Sequence, residues 1–226
     1  FMNTYLDGEG GVFMEKSYTK IYTTGATVPL KIRPGHFATN HAHINYYIDV
    51  TTLKARTKEA EEVAQALVGM YLYDTVIDTI VCMEGTEVIG AFLAEELAKG
   101  GFLSTNAHKS IYVISPEFNN NSQIIFRDNL IPMIRDKHVM ILMASVTTGR
   151  TLNKAVESIQ YYGGILQGAS AIFSAMDSLD GVPIKSVFGK KDLPDYTYSD
   201  YRDCPLCKAG KKIDALVNTF GYSPMG

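Results

Sequence analysis

The chain contains no tryptophan, only three cysteines and no excess of basic residues in its 226 positions. Three cysteines cannot form the disulfide framework that stabilises small secreted domains. The 21 basic and 24 acidic residues give a formal net charge of −3, so the chain lacks the basic surface that a nucleic-acid backbone requires. We therefore expect no nucleic-acid partner and no fold that depends on disulfides.

Long hydrophobic runs are also missing. No apolar stretch approaches the roughly 20 residues that a membrane-spanning helix needs. Residues 1–15 are polar and rich in glycine, without the basic and then apolar pattern of a secretory signal, and we expect them to form a mobile N-terminal segment. These absences predict no membrane partner and a cytoplasmic location.

The rest of the chain alternates between predicted strands and helices. Apolar runs at residues 75–83 and 139–142 are typical of buried strands. Each is followed by a segment with the spacing of a helix, at residues 88–98 and 152–162. Repeated strand–helix units favour an α/β fold in which a mostly parallel sheet is flanked by helices.

The predicted elements are distributed over one domain, residues 16–226, because no internal repeat or low-complexity linker divides it. Strands over residues 16–50 form a small N-terminal subdomain, here called the hood. The strand–helix units form a core at residues 51–190, and residues 191–226 form a C-terminal extension. In parallel sheets ligands bind beyond the carboxyl ends of the strands, so the loops that follow the predicted core strands are the candidate binding loops.

The loop at residues 146–151 is the strongest candidate. It joins the strand at 139–142 to the helix at 152–162, so its backbone N–H groups and the positive end of the helix dipole point to one place. The hydroxyl groups of three threonines add donors beside them. The same residue types occur in an ordinary helix cap and turn. We predict that the loop binds a phosphate group through Val146, Thr147, Thr148, Gly149, Arg150 and Thr151.

A second loop follows the strand at 75–83 and consists of Glu84, Gly85, Thr86 and Glu87. Its two acidic residues flank the start of a helix, where acids are usually partners of the helix dipole. They are also candidate ligand-binding groups, because the loop follows a buried strand in the same sense as residues 146–151.

The stretch at 139–151 resembles the signature of type I phosphoribosyltransferases, in which an apolar strand precedes two acidic residues, an apolar pair and Thr-Thr-Gly-x-Thr/Ser. The order of features over most of residues 16–217 is similar to that of the orotate phosphoribosyltransferases. The resemblance implies the type I phosphoribosyltransferase fold, a homodimer, and transfer of a base to phosphoribosyl pyrophosphate in pyrimidine biosynthesis. It places the 5-phosphate on loop 146–151 and the pyrophosphate beside loop 84–87. It also implies Mg²⁺ as a cofactor.

Three stretches depart from the pattern of that family. Met143 and Ala144 stand where the acidic pair would hold the ribose hydroxyls and Mg²⁺, and they have no oxygen ligands to offer. Residues 114–121 stand where the family has a mobile loop with cations, and they contain one acid and no cation. The segment that contacts the base usually holds a Lys or Arg followed by Ser-Gly. Here it offers His41, His43 and Tyr46 as candidates, although packing or surface roles are the alternative for each.

Two functional hypotheses follow from these observations. The first is a phosphoribosyltransferase related to the orotate enzyme, with altered or impaired activity. The second is a non-catalytic regulatory protein that binds a nucleotide or a ribose phosphate. A phosphatase or nucleosidase-like activity is a weaker third, since the sequence offers no dedicated nucleophile for it. We assign no catalytic residue.

Cys204 and Cys207 have the spacing of half a zinc site. A closed zinc site needs four ligands, and no second cysteine pair exists, so histidines would have to fold back to complete it. A reduced pair in a turn, or a redox-sensitive pair, is the favoured interpretation, and we assign no metal ligands.

Overall fold

The structure is a computed structural model that describes residues 18–99, 104–107, 109–219 and 221–225. The segment 1–15, for which we predict mobility, lies outside the described residues. The strands are β1 (Thr19–Ile21), β2 (Leu30–Ala38), β3 (His43–Asp49), β4 (Thr79–Cys82), β5 (Tyr112–Ile114), β6 (Glu117–Phe118), β7 (Ile124–Ile125), β8 (His138–Val146), β9 (Ile165–Ser174), β10 (Ser178–Leu179), β11 (Val182–Gly189), β12 (Tyr198–Ser199), β13 (Ala215–Asn218) and β14 (Gly221–Pro224). The helices are α1 (Thr51–Ala55), α2 (Thr57–Val68), α3 (Glu87–Lys99), α4 (Arg150–Tyr161) and α5 (Pro205–Lys208), with a 3₁₀ turn at Ile131–Met133.

The core sheet has the strand order β10-β11-β9-β8-β4-β5, and all its pairs are parallel except β10 with β11. The chain passes from β4 outward to β5 and then returns to β8 on the other side of β4. The strand order therefore reverses between β4 and β8, and a crevice opens there at the carboxyl ends of the strands. The predicted α/β fold with a mostly parallel, helix-flanked sheet is confirmed.

The central strands are apolar on both faces because helices cover both. Alternate residues of β8 belong to different clusters: Met140 and Leu142 pack on the side of α2 and α3, and Ile141 and Met143 pack on the side of α4. Helix α4 buries one face, with Leu152, Ala155, Val156 and Ile159 at helical spacing. Because β8 is buried on both sides, residues 139–142 are all apolar and do not alternate with polar residues.

The hood strands belong to a second six-stranded sheet, which is built from both ends of the described chain. The name hood refers below to this whole sheet. Its main path is β12-β3-β2-β13-β14, and β1 pairs with the first part of β2. The C-terminal extension therefore supplies three of the six strands. Pro34 and Gly35, residue types common in turns, lie inside β2, where the pairing with β3 shifts its register before Phe37.

The stretch at 114–121 contains β6 and is part of a hairpin with β7. Glu117 in β6 pairs with Arg127 just beyond β7, with 2.6 Å between Oε2 and Nη2.

Among the described residues, no helix is both long enough and apolar enough to cross a bilayer.

Candidate functional site

A cavity of about 240 Å³ lies where β4 and β8 end, under the edge of the hood. The whole predicted phosphate loop, residues 146–151, forms one wall. Glu84, Lys54, His41 and residues 217–219 also line the cavity. The topology explains this convergence, because the switch point brings together the ends of strands that are distant in the sequence.

The phosphate loop ends in a helix N-terminus without a side-chain cap. Gly149 is the N-cap residue of α4, with a left-handed backbone (φ 76°), and no described side chain bonds to the first turn. The first hydrogen bond of the helix runs from the N–H of Asn153 to the carbonyl of Gly149, at 2.8 Å. The amides before it are left without helical partners, and the first turn holds no acid. Arg150, Thr151 and Leu152, which carry these amides, line the cavity, and a helix N-terminus of this kind suits an anion.

The threonine hydroxyls of this loop have different surroundings. Thr147 Oγ1 lies 3.0 Å from the phenol oxygen of Tyr196, a buried residue of the C-terminal extension. Burial raises the pKa of Tyr196 to about 12, so the phenol stays neutral and can donate to Thr147. This contact ties the loop to the extension. Thr148 and Thr151 also line the cavity.

Glu84 bridges the two strand ends at the switch point. Its Oε2 accepts hydrogen bonds from the N–H groups of Ala144 (3.2 Å) and Ser145 (3.3 Å). Its backbone is left-handed, with φ 60°. Burial raises the pKa of Glu84, although the two amides and the nearby Lys54 partly oppose that effect. The carboxyl group therefore lies against the strand segment where the family signature has its acidic pair.

Lys54 is a cavity residue that the sequence did not single out. Its Nζ donates to the carbonyl oxygens of Glu84 (2.7 Å) and Thr219 (3.1 Å). It thereby joins the loop after β4 to the C-terminal strands. Burial lowers the pKa of Lys54. In the sequence, Lys54 is a polar residue of a predicted helix, and the helical pattern places such residues toward solvent. Nothing near it in the sequence therefore marks it as a cavity residue.

The other residues of the second loop lie outside the cavity lining. Thr86 is fully buried, with Oγ1 at 2.9 Å from the carbonyl of Met83 and 3.0 Å from that of Leu142. Glu87 accepts a hydrogen bond from Ser115 at 2.6 Å. Gly85 turns the chain with φ 79°. Of the four residues, the structure brings Glu84 alone to the cavity wall.

Met143 and Ala144 line the cavity but expose only 1% and 4% of their surface. Met143 belongs to the apolar cluster under α4. These two residues therefore offer a thioether and a methyl group, and Glu84 accepts hydrogen bonds from the amides of Ala144 and Ser145 beside them.

The base-side candidates separate in the structure. His41 lines the cavity, and burial, reinforced by the positive charges of Arg150 and Lys154, lowers its pKa. His43 lies elsewhere, with Nδ1 at 3.1 Å from His36 Nε2. Tyr47, rather than its neighbour Tyr46, lines the cavity, since adjacent strand residues face opposite sides.

Comparisons with known proteins are informative at the level of structure. No family model and no curated protein matches the chain. A phosphoribosyltransferase from Corynebacterium diphtheriae matches with a TM-score of 0.51 and 15% identity, over 72% of this chain and 90% of that chain. Leishmania donovani UMP synthase matches with a TM-score of 0.52 and 18% identity, over 72% of this chain and 34% of that chain. Orotate phosphoribosyltransferase from Mycobacterium tuberculosis, solved with Fe(III) dicitrate, matches with a TM-score of 0.50 and 15% identity, over 73% of this chain and 92% of that chain.

These similarities define the class of fold. The chain has the α/β architecture of phosphoribosyltransferase-fold proteins, with a mostly parallel sheet flanked by helices. Identities of 15–18% establish the fold alone, and the activity has to be argued from the site.

Proposed function

We propose that the chain is a phosphoribosyltransferase-like protein that binds a ligand carrying a ribose 5-phosphate, either a nucleotide or phosphoribosyl pyrophosphate. The phosphate would occupy the loop 146–151. The observation that carries the proposal is the uncapped N-terminus of α4, which opens with a left-handed Gly149 into the cavity at the switch point.

The charges around the cavity support an anionic ligand. Burial and, after it, the positive charges of Arg150 and Lys154 lower the pKa of His41, a cavity residue, so two cations lie near enough to favour an anion there. Among the described residues that line the cavity, Glu84 is the only carboxylate, and two backbone amides already hold it. We therefore propose that the phosphate binds without Mg²⁺, because the usual oxygen ligands of the metal are replaced by Met143 and Ala144.

The hairpin at 114–125 favours binding over transfer. A leaving pyrophosphate needs positive charge to stabilise it. The one acid of the stretch 114–121, Glu117, pairs with the nearby cation Arg127, so the charges of the hairpin satisfy each other. This arrangement supports the non-catalytic hypothesis, in which the bound nucleotide or ribose phosphate regulates a partner.

Phosphoribosyl transfer is the second candidate, and the position of Glu84 favours it. Its carboxylate lies within hydrogen-bonding distance of the amides of Ala144 and Ser145, beside the position of the missing acidic pair. Mg²⁺ commonly binds through one or two carboxylates together with substrate phosphates, so Glu84 could supply the protein ligand. Orotate is the base that the family resemblance suggests, and the homodimer that the resemblance implies would apply to this candidate.

Calorimetric titration separates the candidates. The ligands are ribose 5-phosphate, orotidine monophosphate and phosphoribosyl pyrophosphate, each with and without Mg²⁺. Metal-independent binding of the monophosphates is the expected result. Binding of phosphoribosyl pyrophosphate only with Mg²⁺, followed by release of pyrophosphate when orotate or another base is added, would establish the transferase instead. Absence of binding by all three ligands would refute the phosphate site itself.

A further inference from the structure

Four side chains that could bind a metal converge on one point in the hood, away from the cavity. They are His36, His43, Cys204 and Cys207, and their ligand atoms all lie within 4.8 Å of one another. His36 Nε2 lies 3.1 Å from His43 Nδ1, 3.5 Å from Cys204 Sγ and 3.7 Å from Cys207 Sγ. Cys207 Sγ lies 3.3 Å from His43 Nδ1.

These distances match the edges of a tetrahedral zinc site. Zinc binds thiolate at about 2.3 Å and imidazole at about 2.0 Å. A tetrahedron with those bonds has edges of about 3.3 Å between two nitrogens and about 3.5 Å between a nitrogen and a sulfur. The one nitrogen–nitrogen distance (3.1 Å) and three of the four nitrogen–sulfur distances (3.3–3.7 Å) agree with these edges within a few tenths of an ångström. The other two pairs, His43 with Cys204 and the two sulfurs, lie within 4.8 Å of each other.

The groups behind the ligands hold them in a binding orientation. His36 is fully buried, and its Nδ1 lies 2.8 Å from the carbonyl oxygen of Lys211. Because a carbonyl can only accept, Nδ1 carries the proton and Nε2 keeps its lone pair directed at the other three ligands. The N–H of His36 also donates to Asp214 Oδ2 at 2.7 Å, which fixes the backbone of the residue.

The cysteine pair has the local structure of a metal-binding turn. Cys204 is the N-cap residue of the short helix α5, with Pro205 at its first position. The turn is closed by hydrogen bonds from the N–H of Lys208 to the carbonyl of Cys204 (3.0 Å) and from the N–H of Gly210 to the carbonyl of Cys207 (2.9 Å), which fix the backbone that carries both sulfurs.

We propose that His36, His43, Cys204 and Cys207 form a structural Zn²⁺ site. Two soft thiolates and two imidazoles in tetrahedral array select zinc over Mg²⁺ or Ca²⁺, which prefer oxygen. Four protein ligands complete the coordination and leave no open position, so the site is structural. This proposal is independent of the proposed phosphate site.

The position of the site explains what the metal would do. His36 lies in β2 where the register shifts, and His43 begins β3, whereas the cysteines come from the C-terminal extension. Contacts between His36 and Cys204 close a loop of 168 residues. The metal would link the C-terminal extension to β2 and β3 of the hood. The spacing of the two cysteines in the sequence gives no sign of this long-range link.

The metal content of the full chain, purified without chelator or affinity histidines, tests the proposal. The expected result is about one zinc per chain, bound by a protein whose intact mass shows both thiols reduced. After removal of the zinc, Co²⁺ should give the strong visible and sulfur-to-metal absorption of a tetrahedral site with thiolates, and Zn²⁺ should abolish it.

Two cysteine variants make the experiment specific. Cys207→Ser changes an exposed ligand and should lose most of the metal and the Co²⁺ spectrum. Cys82→Ala removes the buried third cysteine, which lies in the core, and should keep both. A chelator should lower the Tm of the wild type and leave that of Cys207→Ser unchanged. Wild-type protein that binds neither metal, or a mass lower by two hydrogens from a Cys204–Cys207 disulfide, would overturn the proposal.

Discussion

Substitution of Gly149 probes the phosphate loop most directly. The residue begins α4 with φ 76°, a conformation that L side chains adopt at a cost of about 1–2 kcal/mol. A Cβ atom at this position would lie 2.8 Å from Cδ2 of Leu179 and 3.0 Å from its Cδ1. Because these are the ends of a flexible side chain, Leu179 can move away, and the fold should survive both Gly149→Ala and Gly149→Val.

The expected effect on stability can be separated from the effect on binding with a matched glycine. Gly25 also has a left-handed backbone (φ 91°), but a Cβ there would meet nothing within 4 Å, and the residue does not line the cavity. Gly25→Ala therefore measures the backbone cost alone. Each alanine variant should lose about 1–2 kcal/mol for the backbone, and each kcal/mol corresponds to a fall in Tm of about 2–4 °C for a protein of this size. Gly149→Val, with a β-branched side chain, should lose more.

Binding of ribose 5-phosphate should fall in the Gly149 variants only. A backbone that relaxes from the left-handed region turns the amides of the loop away from the phosphate, and a loss of at least tenfold, about 1.4 kcal/mol, is expected. Calorimetry gives the affinities, and thermal unfolding gives the stabilities. Wild-type affinity in Gly149→Val would place the phosphate elsewhere. An equal loss of affinity in Gly25→Ala would show that the effect is one of general stability.

Three further predictions concern buried or cavity groups. Glu84→Gln should raise the free energy of unfolding at neutral pH. Burial raises the pKa of Glu84 in the folded protein. The contribution of Glu84 to stability is therefore fully present below its pKa in the unfolded chain, about 4.3, and is lost as the pH rises through its pKa in the folded protein. Thermal unfolding from pH 4 to 8 should be flatter in the variant, and parallel curves would contradict the assignment. Tyr71→Phe should cost about 1–2 kcal/mol in denaturant unfolding, because it leaves the buried Ser170 hydroxyl without its partner at 2.5 Å, whereas Tyr161→Phe, at a residue that is 82% exposed, should be neutral. Burial and, after it, the positive charges of Arg150 and Lys154 lower the pKa of His41. Ribose 5-phosphate should raise this pKa in an NMR titration, because the bound anion offsets the positive charges, and an unmoved His41 would mean that the ligand binds elsewhere.

The core of the fold could be predicted because its signals are local. The apolar run at 139–142 and the helical spacing of Leu152, Ala155 and Ile159 each lie within a dozen residues, and burial on two faces makes them strong. The hood could not be predicted in full. Strands β12, β13 and β14 have two to four residues each. β12 and β13 pair with β3 and β2, more than 150 residues away, and β14 joins the sheet only through β13.

The candidate site also contains residues that the sequence predicted and residues that it did not. The loop 146–151 has a specific local motif, and the structure places all of it at the cavity. Lys54 has no motif, because its role comes from carbonyl groups of two distant segments. Cys204 and Cys207 carried half of a metal-site pattern, and the missing half, His36 and His43, is separated from them by most of the chain. Spacing alone detects ligands only when they are close in the sequence.

The hood contains strands from both sides of the core, and this order has a consequence for synthesis. The strands of the core sheet, from β4 to β11, are synthesised before β12 to β14, so the loop 146–151 is made before the strands that border the cavity beside it. Residues 217–219 and Gly221 then complete the cavity wall. A nascent chain therefore contains the loop 146–151 before it contains the residues of β13 and β14 that line the same cavity, and the cavity lining is complete only when both segments are present.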